Sequence, residues 1–285
     1  MTNPYQSPVD YMPDRVHAGS TEVIAPTALD LGDVFSRTWT ILTSQYGMSL
    51  AIFVVTGLVS MAVVLAGWLI LGGLIAARVD PIIILFVRFL VMVVHWLFVI
   101  WLNIGAALCY LRIARGQPVA IGEIFAGGPY LLRVLGATLL FLLILMALSL
   151  VSMLPLAVVA VLMARTIQTP AIVAVGVLIS VAAASIVSIV ATLGFSQYYY
   201  LLLDQNVGSL ESLSLSWKIT RGNRLMLFAI WTVAGIMGVL VSLFTGGLGA
   251  IFLAAPFLSL MMPVIYLAMT GQPTADRLYQ PGSTV

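Results

Sequence analysis

Charge is scarce in this sequence. Of 285 residues, 12 are Lys or Arg and 10 are Asp or Glu, so charged side chains make up 8% of the chain. A soluble domain carries about 25%. So few cannot form the polar shell that keeps a chain of this length in water, and the shortage excludes a soluble enzyme. The net charge of +2 gives no field for a polyanion, so no nucleic acid is expected as a partner. The single cysteine, Cys109, excludes an internal disulfide and with it a secreted disulfide scaffold. Only two histidines occur, His17 and His95, and they are far apart. No Cys pair, acidic pair or His–Glu–His spacing falls in an apolar run, and no glycine-rich loop ends in Gly-Lys-Ser or Gly-Lys-Thr. Hydrolases and metal enzymes need paired titratable groups, so no catalytic residue, cofactor or metal is expected. Coupled ion transport commonly uses acids buried in the membrane, and their scarcity disfavours a proton-driven pump.

What is abundant is apolar: 62% of the residues are hydrophobic. A bilayer core of ~30 Å takes about 20 apolar residues in a helix, and six runs qualify. They cover roughly 48–76, 81–113, 133–165, 170–203, 225–244 and 250–269. The reading is an all-α integral membrane protein with six spans. Pro81 suits a first helical position. Pro155 is expected to kink or end the third span, since proline removes a backbone donor. Gly246, Gly247 and Gly249 predict a tight turn between the last two spans. Residues 1–26, with Pro4, Pro8, Pro13 and Pro26, read as a disordered tail without the basic-then-apolar order of a signal peptide. The membrane domain is expected over 27–271, with a short tail over 272–285.

Basic residues near span ends set orientation. Arg15, Arg37, Arg112, Arg115, Arg133, Lys218, Arg221, Arg224 and Arg277 fall on one side, against Arg78, Arg88 and Arg165 on the other. Both termini are therefore expected in the cytoplasm, with the chain in a cell's inner membrane. Lys218, Arg221 and Arg224 also suit anionic lipid, although orientation alone accounts for them.

Three segments that precede spans one, three and five resemble one another. Residues 29–36 and 119–126 share an apolar-x-apolar-Gly-acid-apolar-Phe-small string. Asp33 precedes Trp39, and Glu211 precedes Trp217, by the same six residues. Placing Asp33, Glu123 and Glu211 in one column also aligns Tyr110 with Tyr198 and Gln117 with Gln205. Gly116-Gln117-Pro118 after span two is echoed by Gly271-Gln272-Pro273 after span six. The expected architecture is three tandem units, each an interfacial helix followed by a two-helix hairpin. The interfacial helices are placed at 29–44, 119–130 and 209–221. Asp30 or Thr27 would cap the first, and Leu31, Val34, Phe35 and Leu42 would dip into the acyl boundary. Tyr198, Tyr199 and Tyr200 read as an interfacial aromatic belt.

A polar pocket is plausible only around spans two and four. His95 and Asn103 are eight residues apart, so they lie ~80° apart around a helix. Ser188, Thr192 and Ser196 continue a four-residue stripe of small residues from Ala184, and Gln197 adds an amide at its end. Helix packing and interhelical hydrogen bonding account for these residues as well as a polar path does, and packing is favoured. Either way, His95 and Asn103 are expected to face inward toward the stripe.

The stretch 197–204, Gln-Tyr-Tyr-Tyr-Leu-Leu-Leu-Asp, followed by Gly208 to Asn223, resembles a set of bacterial six-span membrane proteins. These are related to the membrane domain that precedes the catalytic barrel of some glycerophosphoryl diester phosphodiesterases. In that set an aromatic span end leads to an acid, a short helix with Ser-Trp, and a Gly-Asn turn into the next span. Asn3 to Pro8 also looks like a leader found on multi-pass bacterial proteins. The resemblance implies a six-helix membrane fold without established catalytic residues, and no barrel follows the sixth span.

The leading reading is a non-catalytic module that binds or assembles with membrane lipids and with another membrane or envelope protein. The alternative is a small transporter or channel with a path between spans two and four. A lipid-modifying enzyme ranks third, for want of paired titratable groups.

Overall fold

In the computed structural model, residues 27–167 and 170–276 are described, and their regular elements are all helical. The order is α1 (Leu31–Ser44), α2 (Tyr46–Ala76), α3 (Pro81–Ala114), α4 (Leu131–Ile167), α5 (Pro170–Gly194), α6 (Tyr198–Gln205), α7 (Ser209–Ile219), α8 (Arg224–Phe244) and α9 (Ala255–Met269). Two 3-10 turns, Ile121–Phe125 and Gly128–Tyr130, precede α4, and a π turn, Ala250–Ala254, leads into α9. Among the described residues, six stretches are long and apolar enough to cross a membrane. The expected disorder of 1–26 concerns residues outside those described.

The span ends follow the sequence signals. Asp80 caps α3 by accepting from the Ile82 N–H at 2.8 Å, with Pro81 in the first turn. Asp30 caps α1 by accepting from the Asp33 N–H at 2.8 Å. The helix α4 continues through position 155 to Ile167, so the third span does not end at Pro155.

Both ends of the described chain meet at one end of the bundle, here the terminal face. The Thr27 N–H approaches the Met269 carbonyl at 3.4 Å, and the Ala275 N–H bonds the Ala114 carbonyl at 2.9 Å. Thr274, Ala275 and Asp276 are buried. Residues 274–276 are thus packed against the end of α3.

The core lies in this terminal half. It joins α1 and the adjoining end of α2, the last three turns of α3, the start of α4, and α6, α8 and α9. Toward the opposite, far face the packing thins. Between positions 57 and 94 only Gly67 is buried, where its missing Cβ admits Val91 of α3. The large side chains there, such as Leu69 and Phe86, point outward. Within the acyl region lipid can cover such faces, because acyl chains are as apolar as leucine. Helix lengths differ accordingly. At 1.5 Å per residue α2 and α3 run ~46 and ~51 Å, whereas α8 runs ~32 Å, close to a bilayer core of ~30 Å.

Two of the three expected interfacial helices are α-helices, α1 and α7. The middle one is not: residues 121–130 form 3-10 turns pressed onto α3. A Cβ on Gly105 would sit 1.7 Å from the Ile124 carbonyl oxygen, so the approach requires glycine there. With Gly122, Gly127, Gly128 and Pro129 in one stretch, helix propensity is too low to hold an α-helix against that contact. The apolar faces of α1 and α7 are turned largely into the protein. Val34 and Leu42 of α1, and Leu213 and Ile219 of α7, are buried in protein, and the Phe35 ring packs at 5.6 Å against Phe257 of α9. Neighbouring helices offer these faces closer packing than acyl chains do. Trp39, half exposed, stays at the periphery.

Candidate functional site: a polar clasp at the terminal face

The even-numbered spans end alike. Gly116 after α3, Asn206 after α6 and Gly271 after α9 all adopt left-handed backbone, with φ of 71°, 55° and 69°. Glycine and asparagine are the residues that tolerate this conformation at a helix end. After α3 the Gln117 N–H closes onto the Arg112 carbonyl, and after α9 the Gln272 N–H closes onto Leu267, both at 2.9 Å. The shared Gly-Gln-Pro string is thus a helix-terminating turn. Aligned on these ends, Tyr110 corresponds to Tyr200, two residues later than the column built on the acids.

These ends converge on one polar cluster. Arg115, which caps α3, donates to the Asp204 carboxylate of α6 at 2.7 Å. The same guanidinium donates to Gln272 Oε1 at 2.6 Å. The Tyr266 hydroxyl of α9 donates to Asp204 at 2.7 Å, and Gln272 Nε2 does so at 3.3 Å. Arg115 and Asp204 keep only 24% and 15% of their side-chain surface, so water screens the pair weakly. One carboxylate thereby gathers donors from α3, α9 and the turn after α9. Below it the Tyr266 ring, fully buried, stacks on Tyr200 at 5.8 Å. Tyr200 belongs to the core rather than to an aromatic belt, and Tyr198 and Tyr199 are half buried beside it.

Three more ties close the same face. Asn223, the cap of α8, accepts from the Leu29 N–H at 3.1 Å and donates to the Thr27 carbonyl at 2.8 Å. Arg37 of α1 donates to Asp33 at 2.8 Å and to Thr274 Oγ1 at 3.2 Å. Arg112 pairs with Glu123, holding the 3-10 segment to α3. A cleft of about 340 Å³ between α1 and the Gly271 turn is lined by Asp30, Asp33, Arg37 and Gln272, among others.

The sequence-predicted site residues are scattered. Asn103 is exposed, and its Nδ2 donates to the Val99 carbonyl of its own helix at 2.8 Å. That corrects its expected inward orientation: the intrahelical bond satisfies the amide without a partner helix. His95 is half buried, with Nδ1 unbonded among the described residues. Ser188 is half buried and bonds Ser149 of α4 at 3.3 Å, whereas Thr192 is exposed. The strongest packing of α3 is against α2, the 3-10 segment and α9, and that of α5 is against α4. Among the described residues, no hydrogen bond joins His95 or Asn103 to Ser188, Thr192, Ser196 or Gln197.

Ser196 and Gln197 occupy a break that the sequence did not announce. The fourth span is α5 and α6, interrupted at 195–197. An interruption leaves backbone groups without helical partners, which is costly away from water. Helix α7 supplies the partners. Ser216 Oγ and Thr220 Oγ1 both donate to the Gly194 carbonyl at 3.0 Å, and Ser216 Oγ accepts the Gln197 N–H at 3.1 Å. Trp217 lies against Gly194, where a Cβ would come within 2.4 Å of the indole. Gln197 is fully buried, its Nε2 donating to Ser196 Oγ at 3.3 Å. The Ser-x-x-x-Thr spacing on α7 was the available signal for this clamp.

Among the described residues no group of three or more His, Cys, Asp or Glu side chains is placed to hold a metal. No protein-family model matches the chain, and neither a curated protein nor a solved structure matches it. What the fold defines is a multi-pass, all-α membrane protein.

Proposed function

We propose that the chain is a non-catalytic assembly module of a bacterial inner membrane, with both termini in the cytoplasm. In this reading the six spans form three tandem units. Their cytoplasmic ends are locked together by the clasp, and the far halves of the long hairpins receive another membrane protein. The observation that carries the reading is the division of labour between the two halves. At the terminal face the polar side chains bond one another across the units, through Arg115–Asp204–Gln272 and through Asn223 with Thr27 and Leu29. The far halves of α2 and α3 are uncovered, with Leu69 78% and Phe86 66% exposed. Their lengths exceed the bilayer core by more than a helix turn, so part of each apolar face reaches the headgroup region, where lipid covers it poorly. A partner helix covers it better. The resemblance over 195–230 to six-span bacterial proteins without known catalytic residues agrees with this role.

Photo-crosslinking in native membranes tests the reading. A photoreactive residue at Leu69 or Phe86 is expected to give discrete protein adducts, and the same residue at Leu225, on the terminal half, lipid adducts alone. Lipid adducts alone at all three positions would reject the assembly role.

A further inference from the structure

The corner between α7 and α8 carries a cluster of three cations. Lys218 lies in the last turn of α7, Arg221 follows in the connecting turn, and Arg224 opens α8. The Arg221 N–H bonds the Lys218 carbonyl at 3.2 Å, which keeps the two side chains on one tight turn. Among the described residues, ion pairs join Arg37 to Asp33, Arg112 to Glu123 and Arg115 to Asp204, and none involves these three cations. Lys218 and Arg221 are exposed.

Arg224 is held in place by its surroundings. Its guanidinium carbon sits 3.6 Å above the Trp217 ring, and Nη2 donates to the Trp217 carbonyl at 3.3 Å. Its Nε is buried and has no hydrogen-bond partner among the described residues. Trp217 is itself fixed, packed at 5.1 Å on Phe195 and against Gly194. The positive charge of Arg221 also acts on the partly buried Arg224.

Directly below, the surface turns apolar. Leu225 is 82% exposed and Phe228 45% exposed at the start of α8. Cations beside an exposed indole, with bare apolar side chains in the first turns of α8, match a phospholipid in both parts: a phosphate at the headgroup level and acyl chains below it.

We propose that Lys218, Arg221 and Arg224 form a binding site for the phosphate of an anionic phospholipid, with Trp217 orienting Arg224 and with Leu225 and Phe228 receiving the acyl chains. The site stands on this corner alone and does not depend on the assembly role. Because α7 also clamps the break in the fourth span, a bound lipid would brace Gly194 and Gln197 through Trp217 and Ser216.

The test uses the full chain in vesicles of phosphatidylcholine with a trace of phosphatidylglycerol, with bound lipid counted by native mass spectrometry. Wild type is expected to retain phosphatidylglycerol in preference to phosphatidylcholine at low salt. Lys218→Gln/Arg221→Gln alters only exposed side chains and spares the Arg224–Trp217 contact, so its fold is expected to persist. Two charges at a membrane surface correspond to roughly a 30-fold loss of preference. Lys218→Arg/Arg221→Lys should retain it, and neutralising the remote Arg78 should not change it. Equal retention of both lipids by wild type, or a preference unchanged in the Gln double variant, would overturn the site. Displacement of the lipid by millimolar inorganic phosphate would overturn the lipid assignment in favour of a soluble anion.

Discussion

Arg115 and Asp204 meet at 2.7 Å across 89 residues of chain. The contact joins the end of the second span to the end of the fourth, and Tyr266 and Gln272 bring the sixth to the same carboxylate. Bonds that involve a charged group contribute about 1.5–3 kcal/mol each. Arg115→Ala and Asp204→Ala are therefore expected each to destabilise the bundle by about 2 kcal/mol. Their double variant should lose less than the sum, because each single change leaves a charge without its partner. Thermal unfolding of the four proteins in one detergent measures the coupling, and additive losses would deny that the pair acts as a unit.

The clamp on the broken span makes a steric prediction. Gly194→Ala places a methyl 2.4 Å from the Trp217 ring, and overpacking of this kind costs about 1–3 kcal/mol. Trp217→Leu in the same chain should recover part of the loss by making room. If Gly194→Ala melts at the wild-type temperature, α7 does not hold the break in the way described.

Span two gives a contrast between neighbours on one helix. Asn103 is exposed and bonded within its own helix, so Asn103→Leu should change stability by less than about 0.5 kcal/mol, as surface changes do. His95 is half buried, and His95→Leu should have the larger effect of the two. The unfolding midpoints of the two variants decide the order.

Orientation is checked by single cysteines. Thr245 lies at the exposed far turn and Ser214 on the exposed side of α7. With Cys109 buried and replaced by Ala, Thr245→Cys is expected to react with a membrane-impermeant thiol reagent in intact cells. Ser214→Cys should react only after lysis. The opposite pattern would invert the topology.

Much of the scaffold was legible in the sequence, because apolar run length and punctuating Pro, Gly and Asp residues act locally. Asp80-Pro81 marked the start of α3, and the Gly-Gln-Pro strings marked the ends of α3 and α9. The errors arose where a distant contact decided the outcome. Residues 121–130 carried the repeat pattern but folded as 3-10 turns, because Gly105 of α3 admits them. The fourth span read as continuous, because its break depends on two hydroxyls of α7. The predicted pocket rested on helical periodicity, which gives the angle between His95 and Asn103 but not which side has neighbours. The clasp went unread because Arg115, Asp204 and Gln272 stand at the ends of three separate spans. Each looks like an ordinary terminal residue until the helices are brought together.

Extraction of the wild-type chain in its native lipid, followed by mass measurement of the intact particle, tests the assembly role most directly. A single chain has a mass of 30.5 kDa. The account predicts a particle heavier than one chain plus lipid by the mass of at least one further protein. It also predicts that Leu69→Ala/Phe86→Ala shifts the population toward the single chain. A wild-type particle holding one chain and lipid alone would contradict it.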